Sequence, residues 1–113
     1  MKMPKISLDA TRRLEALVAG DPRVRIKKMF GQPAGFVNGN LCLGTFGTEI
    51  FVRLSDSHVE SLSKVAGVRP FEPMAGRPMK HYLVVPPSML AKPLEVKKWV
   101  RRSVDYVQSL PPK

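Results

Sequence analysis

The sequence predicts a two-layer α+β domain: an antiparallel sheet of about five strands with helices on one face, in the order α-β-β-β-α-β-β-α. Three observations predict it. Apolar residues recur at helical spacing near both ends of the chain, and between them the period shortens to two. The dipeptides Asn38-Gly39 and Gly47-Thr48 punctuate that middle region as hairpin turns. Finally, 113 residues allow one modest core, so residues 1–113 are expected to form a single domain with 110–113 as an extended tail.

Each element follows in order. Ser7 can cap a first helix, whose stripe is Ala10, Leu14, Leu17 and Val18, and Gly20 and Pro22 stop it. From Val24, the set Val24, Ile26 and Phe30 alternates with Arg25, Lys27 and Met29, with Lys28 breaking the apolar pattern. Asn38-Gly39 suits a type I′ turn, because both central positions need positive φ; it links Phe36-Val37 to Leu41-Cys42-Leu43. Gly47-Thr48 suits a type II′ turn into Ile50–Leu54, which completes a three-stranded meander.

Ser57-His58-Val59-Glu60 reads as a capping box opening a short helix that buries Val59, Leu62 and Ala66 and ends at Gly67. The stretch Arg69 to Lys80 is too rich in proline for a helix. It runs into the apolar strand His81–Val85, which Pro86 and Pro87 terminate, and Phe71 is its expected core anchor. A last helix starts near Pro93. Val96, Trp99, Val100, Ser103, Val104, Val107 and Leu110 share one face, with Lys97, Lys98, Arg101 and Arg102 opposite and Asp105 placed to contact Arg101. If helices cover Ile50, Val52 and Leu54, the other sheet face shows Glu49, Phe51 and Arg53 with Arg25 and Lys27 nearby, an open basic face carrying an aromatic.

Charge is the outlying property of the composition. Nineteen Lys and Arg against nine Asp and Glu give +10, which draws polyanions by long-range steering without choosing among them. The single cysteine, Cys42, excludes an internal disulfide framework and a multi-cysteine zinc site. The N-terminus lacks the apolar core of a secretory signal and no apolar run could cross a bilayer, so a soluble cytoplasmic protein without membrane contact is expected.

Catalytic signals are weak. Cys42 lies between two leucines with no basic neighbour, which suits packing better than nucleophilic attack. His81 begins a buried strand and reads as hydrogen-bonded structure, and His58 reads as solvated in a first helical turn. Two histidines without acidic residues at ligand spacing predict no metal, and the scattered carboxylates form no acid–base pair. The segment Gly76-Arg77-Pro78-Met79-Lys80 reads first as a tight turn whose Arg77 pairs with Glu72 or a carbonyl, and second as an anion-binding loop. The candidate contacts to an anion or nucleic acid are Arg53, Arg77, Lys80, Lys97, Lys98, Arg101 and Arg102.

Taken together, Met29-Phe30-Gly31, Phe36-Val37-Asn38-Gly39-Asn40, Val52-Arg53-Leu54, Arg69-Pro70-Phe71, Gly76-Arg77-Pro78-Met79-Lys80 and Trp99-Val100 resemble the N-terminal domain of the TfoX/Sxy family, from about Ile26 onward. Gln32-Pro33-Ala34 departs from the second glycine that many relatives carry after Met-Phe-Gly. The resemblance implies an α+β domain like those of secretion chaperones. It also implies a stand-alone version of a module that, in full-length members, is joined to a helical C-terminal domain. Those members regulate competence genes together with the cyclic-AMP receptor protein. The resemblance supplies no catalytic residue and no cofactor.

The expected function is therefore a non-enzymatic regulatory or interaction module acting through protein partners, with a homodimer through sheet edges or the uncovered face as one arrangement. The alternative is sequence-tolerant nucleic-acid binding through the basic C-terminal helix and the open sheet face. An anion-binding enzyme centred on Arg53, Arg77 and Lys80 has the least support.

Overall fold

The computed structural model describes residues 4–73 and 76–113; Met74 and Ala75 of the proline-rich stretch and Met1 to Met3 lie outside them. Ser7 caps α1 (Leu8–Val18) by accepting from the Ala10 N–H, and Ala10, Leu14 and Val18 are the buried stripe. Four strands follow: β1 (Arg25–Met29), β2 (Gln32–Val37), β3 (Asn40–Phe46) and β4 (Glu49–Arg53). Then come α2 (Asp56–Ser63), β5 (Arg69–Pro70), β6 (Tyr82–Val85), α3 (Pro87–Leu90) and α4 (Pro93–Gln108). The sheet is antiparallel throughout, with spatial order β1-β2-β3-β4-β6-β5.

Both expected hairpin turns form: Asn38 and Gly39 have φ of 52° and 83°, and Gly47 has 63°. The sheet nevertheless has six strands instead of about five, four of them before α2. The difference comes from Gln32-Pro33-Ala34. These residues begin β2, because a third two-residue turn, Phe30-Gly31, closes β1 onto β2 at the Met29–Gln32 pair. Phe30 is therefore a turn residue at φ 56°, and not the strand position its apolar side chain implied. β1 itself is an edge strand: Arg25 through Lys28 are all exposed, and Ile26 keeps 43% of its surface.

Two clusters sandwich the sheet. On the helix face, Leu14 and Val18 of α1, Leu62 of α2, Met89 of α3 and the α4 stripe close over Val37, Leu43, Val52, Leu54, Leu83 and Val85. Each such fully buried aliphatic side chain contributes about 1.5–3 kcal/mol. Cys42 joins this face because it has no partner in the β2–β3 register, where Phe36 pairs with Leu41 and Gly35 with Leu43. That one-residue bulge turns Cys42 and Leu43 together toward α4.

The other face is covered over β4 and β6, which corrects the expectation of an open aromatic surface there; only its β1 side, with Arg25 and Lys27, stays exposed. Phe51 does point there, but it is 1% exposed, because Phe71 lies flat on it. Ala34, Leu41, Tyr82 and Val84 complete this second cluster, rimmed by Met29, Phe36, Phe46 and Met79. Phe71, directly after β5, is thus a lid. Its backbone is held by main-chain bonds from Phe71 N to Tyr82 O (3.0 Å) and from Met79 N to Phe71 O (2.9 Å). Beneath it, Gly44 admits the Phe51 ring, since a Cβ at that position would stand 2.8 Å from the ring and 2.9 Å from the Ala34 methyl.

Local differences have local causes. Ser55, in place of Ser57, caps α2 by accepting from the His58 N–H; its extended backbone ends the β4 run, and Asp56 occupies the first turn where the helix dipole favours a carboxylate. Ala66 consequently lies beyond the helix and exposed. Pro86 and Pro87 stop β6 as expected, and Pro87 then sits at the first position of the additional helix α3. The tail is extended but tied down: Lys113 N donates to Asn38 O at 2.9 Å, and Asn40 Nδ2 donates to Pro111 O at 3.0 Å.

Candidate functional site

Cys42 is fully buried and closed off by α4. The Ser103 hydroxyl donates to Cys42 O (3.0 Å), which leaves the thiol as donor to Ser103 Oγ (3.2 Å). Burial pushes the thiol up to about 11, well outside the range of a usable thiolate at neutral pH. Among the described residues no cluster of three or more His, Cys, Asp or Glu could hold a metal ion. His81 lies one residue before β6, not within it. It adopts φ 75° and places Nε2 2.6 Å from Asp56 Oδ1, which ties the start of β6 to α2. His58, expected in solvent, is half-buried with its ring edge-on to Trp99 (centroids 6.2 Å apart).

The seven predicted basic contacts do not form one surface. Arg53 is half-buried, its guanidinium carbon 5.5 Å from the centre of the Tyr82 ring and 5.9 Å from that of Tyr106. Two faces of aromatic π density stabilise a cation there. Arg77 and Lys80 are exposed on the connection before β6, and Glu72 accepts the Gly76 N–H instead of pairing with Arg77. On α4 the four cations divide around Trp99. Lys98 and Arg102 lie over its ring, at 5.5 and 4.6 Å, and Lys98 also pairs with Glu95 at 3.3 Å. Lys97 and Arg101 point the other way, toward the end of α1.

That other side carries the strongest site, and its organising residue is Arg23. Its guanidinium grips Asp21 through two bonds of 3.0 and 2.9 Å. It reaches α4 through Asp105 Oδ1 at 2.8 Å and Gln108 Oε1 at 2.9 Å. The bidentate contact holds the Asp21 carboxyl below the usual carboxylate range, outweighing its partial burial. Asp105 was expected to contact Arg101 along the helix; it pairs instead with a residue 82 positions away.

Two grooves flank this clamp. One, of about 500 Å³, runs between the end of α1 and α4 and is lined by Lys97 and Arg101. The other, of about 430 Å³, opens between β1 and the β2–β3 turn and is lined by Arg25, Lys27, Phe36 and Asn38. Asp21 and Asp105 are both engaged by Arg23, and among the described residues Arg25, Lys27, Lys97 and Arg101 form no ion pair. Anionic groups entering either groove meet cations that form no ion pair; Asp21 is the resident carboxylate of the first groove, and Arg23 holds it. Sequence reasoning put Lys97 and Arg101 among the contacts, placed Arg25 and Lys27 only beside the basic sheet face, and left out Arg23. The alternation of Arg25-Ile26-Lys27 was the available signal for two of them, since period two puts both cations on one strand face; Arg23 lies before β1 and carried no such signal.

These features define an α+β domain with an open six-stranded antiparallel sheet and a cationic rim. The chain matches the TfoX N-terminal domain over residues 16–107 of its 113, and it belongs to that family. No curated protein matches it. No helix of the described residues is long and apolar enough to cross a membrane.

Proposed function

We propose that this TfoX N-terminal domain is a non-enzymatic regulatory module of the cytoplasm that works by docking a partner protein through acidic side chains. Membership of the family supports the regulatory part of this reading. One observation carries the docking part: Arg23 engages both neighbouring carboxylates and leaves Arg25, Lys27, Lys97 and Arg101 facing two open grooves. Such an arrangement accelerates encounter with an acidic surface and orients it, with a strong dependence on ionic strength.

A second reading, nucleic-acid binding, is favoured by Phe36. It lies half-buried in the groove of Arg25 and Lys27, where a ring between cations offers a stacking face for a base. One experiment separates the two. The tagged protein is isolated from its native host with and without nuclease, beside a variant carrying Arg25→Glu, Lys27→Glu, Lys97→Glu and Arg101→Glu. A protein partner retained after nuclease and lost from the variant supports docking. Partners lost on nuclease treatment, together with salt-dependent DNA binding that weakens in Phe36→Ala, support the second reading.

A further inference from the structure

β1 is an edge whose backbone has a defined outward pattern. The Phe30-Gly31 turn closes on the Met29–Gln32 pair, and a two-residue hairpin closes on a hydrogen-bonded pair. Bonded and non-bonded pairs alternate along an antiparallel ladder. Arg25, Lys27 and Met29 therefore aim their main-chain groups at β2, while Ile26 and Lys28 aim theirs away from the sheet. Pro33, opposite Lys28, fits this phase, because a residue without an N–H could not complete a bonded pair. The opposite edge offers no comparable template: β5 has two residues, one of them Pro70, and Arg69 is paired with Glu49.

We propose that β1 receives an extended acidic segment of a partner protein as a seventh, antiparallel or parallel strand of the sheet. The inference rests on the protein-docking reading above and names how that partner binds. Charge complementarity selects the occupant. Arg25 and Lys27 stand on one face of β1, Lys28 on the other, and all three are exposed. Carboxylates at alternate positions of an added strand lie beside Arg25 and Lys27. Apolar residues between them lie beside Ile26, whose β2 neighbour Gly35 has no side chain to cover it. A second copy of this chain is a poor occupant, because two β1 strands laid together set cations against cations.

The test uses the full chain and a terminally blocked peptide of alternating glutamate and valine. Peptide binding should slow amide exchange at Ile26 and Lys28. The variant Ile26→Pro keeps every cation and every bond to β2 but removes one outward N–H, and it should bind about fivefold or more weaker than Ile26→Ala, which loses the same side-chain contact and keeps that N–H. Circular dichroism and thermal unfolding check that the variant is folded. As a second arm independent of its folding, a peptide N-methylated at alternate residues should fail to bind the wild-type chain. Equal binding by Ile26→Pro and by the methylated peptide, without protection at Ile26 and Lys28, would overturn strand addition while leaving groove docking intact. Absence of any binding at low salt would instead count against the docking reading itself. Protection of Ile26 and Lys28 in the free chain, with a dimeric mass, would assign the edge to a second copy and overturn the proposal.

Discussion

Phe71 stacks on Phe51 with ring centroids 4.0 Å apart and planes 9° from parallel. Phe51 comes from the middle of β4 and Phe71 from the connection after β5, so this contact closes the sheet face away from the helices. Phe46 meets Phe71 edge-on at 5.4 Å and Tyr82 meets Phe51 at 5.9 Å, which extends the contact along the face.

Phe71→Ala should cost about 3–5 kcal/mol, the range for removing a buried aromatic side chain, and should expose the face beneath it. Denaturant unfolding measures the loss. A double-mutant cycle with Phe51→Leu should show coupling of about 0.5–1.5 kcal/mol for the ring pair. Independent, additive losses would show that the lid is held by its backbone bonds alone.

Cys42 should resist alkylation in the folded chain at neutral pH and react only on unfolding. The folded thiol is raised by burial, so its contribution to stability is complete below the ordinary cysteine value near 9 and disappears as pH rises toward about 11. Cys42→Ala should remove that alkaline loss. Thiol labelling rates across that interval, beside unfolding curves, check both statements.

Arg23→Ala should weaken binding of an acidic probe more than Arg25→Ala does, because it removes a cation and also releases Asp21 and Asp105 into the grooves. Its stability cost should stay near 1 kcal/mol, as these groups are partly exposed and screened. The folded Asp21 carboxyl lies below its unfolded value. The clamp therefore contributes fully above about pH 4 and is lost as pH falls through the folded value, a dependence that the variant should lack. Urea unfolding at about pH 5 and about pH 2.5 reads it.

Gln32 is 2% exposed and spends its amide on two segments: Nε2 donates to Pro4 O at 2.6 Å, and Oε1 accepts from the Gly47 N–H at 3.3 Å. Gln32→Ala should cost about 1–3 kcal/mol through the groups left unpaired. Amide exchange should then rise selectively at Gly47. An unchanged rate there would show that the turn holds without the side chain.

Much of the fold was legible because its signals are local. Ser7 caps a helix by its own side chain, and Asn38-Gly39 tolerates positive φ wherever it occurs. The six strands were undercounted because Phe30 turns the chain against its own propensity, held in place by an edge contact to Phe46 (centroids 6.3 Å apart) that no local pattern encodes. Period two placed Phe51 and Arg53 on one face correctly; what covers that face depends on where Phe71 and Met79 come to lie, a tertiary matter. The same holds for the candidate site. The cations of α4 could be seen on a helical wheel, but their division around Trp99, and the meeting of Arg23 with Asp105 from the far end of the chain, exist only once α1, β1 and α4 are packed.

β1 is exposed from Arg25 to Lys28 yet fastened at both ends. Arg23 bolts its entry to α4, and Phe30 rests against Phe46 at its exit. A strand held this way is a stiff ruler, not a loose thread. Whatever lies down on it finds its spacing already set, so the ordering entropy of association falls mainly on the incoming segment. Loosening either fastening should slow productive docking even where every contacting residue is left in place.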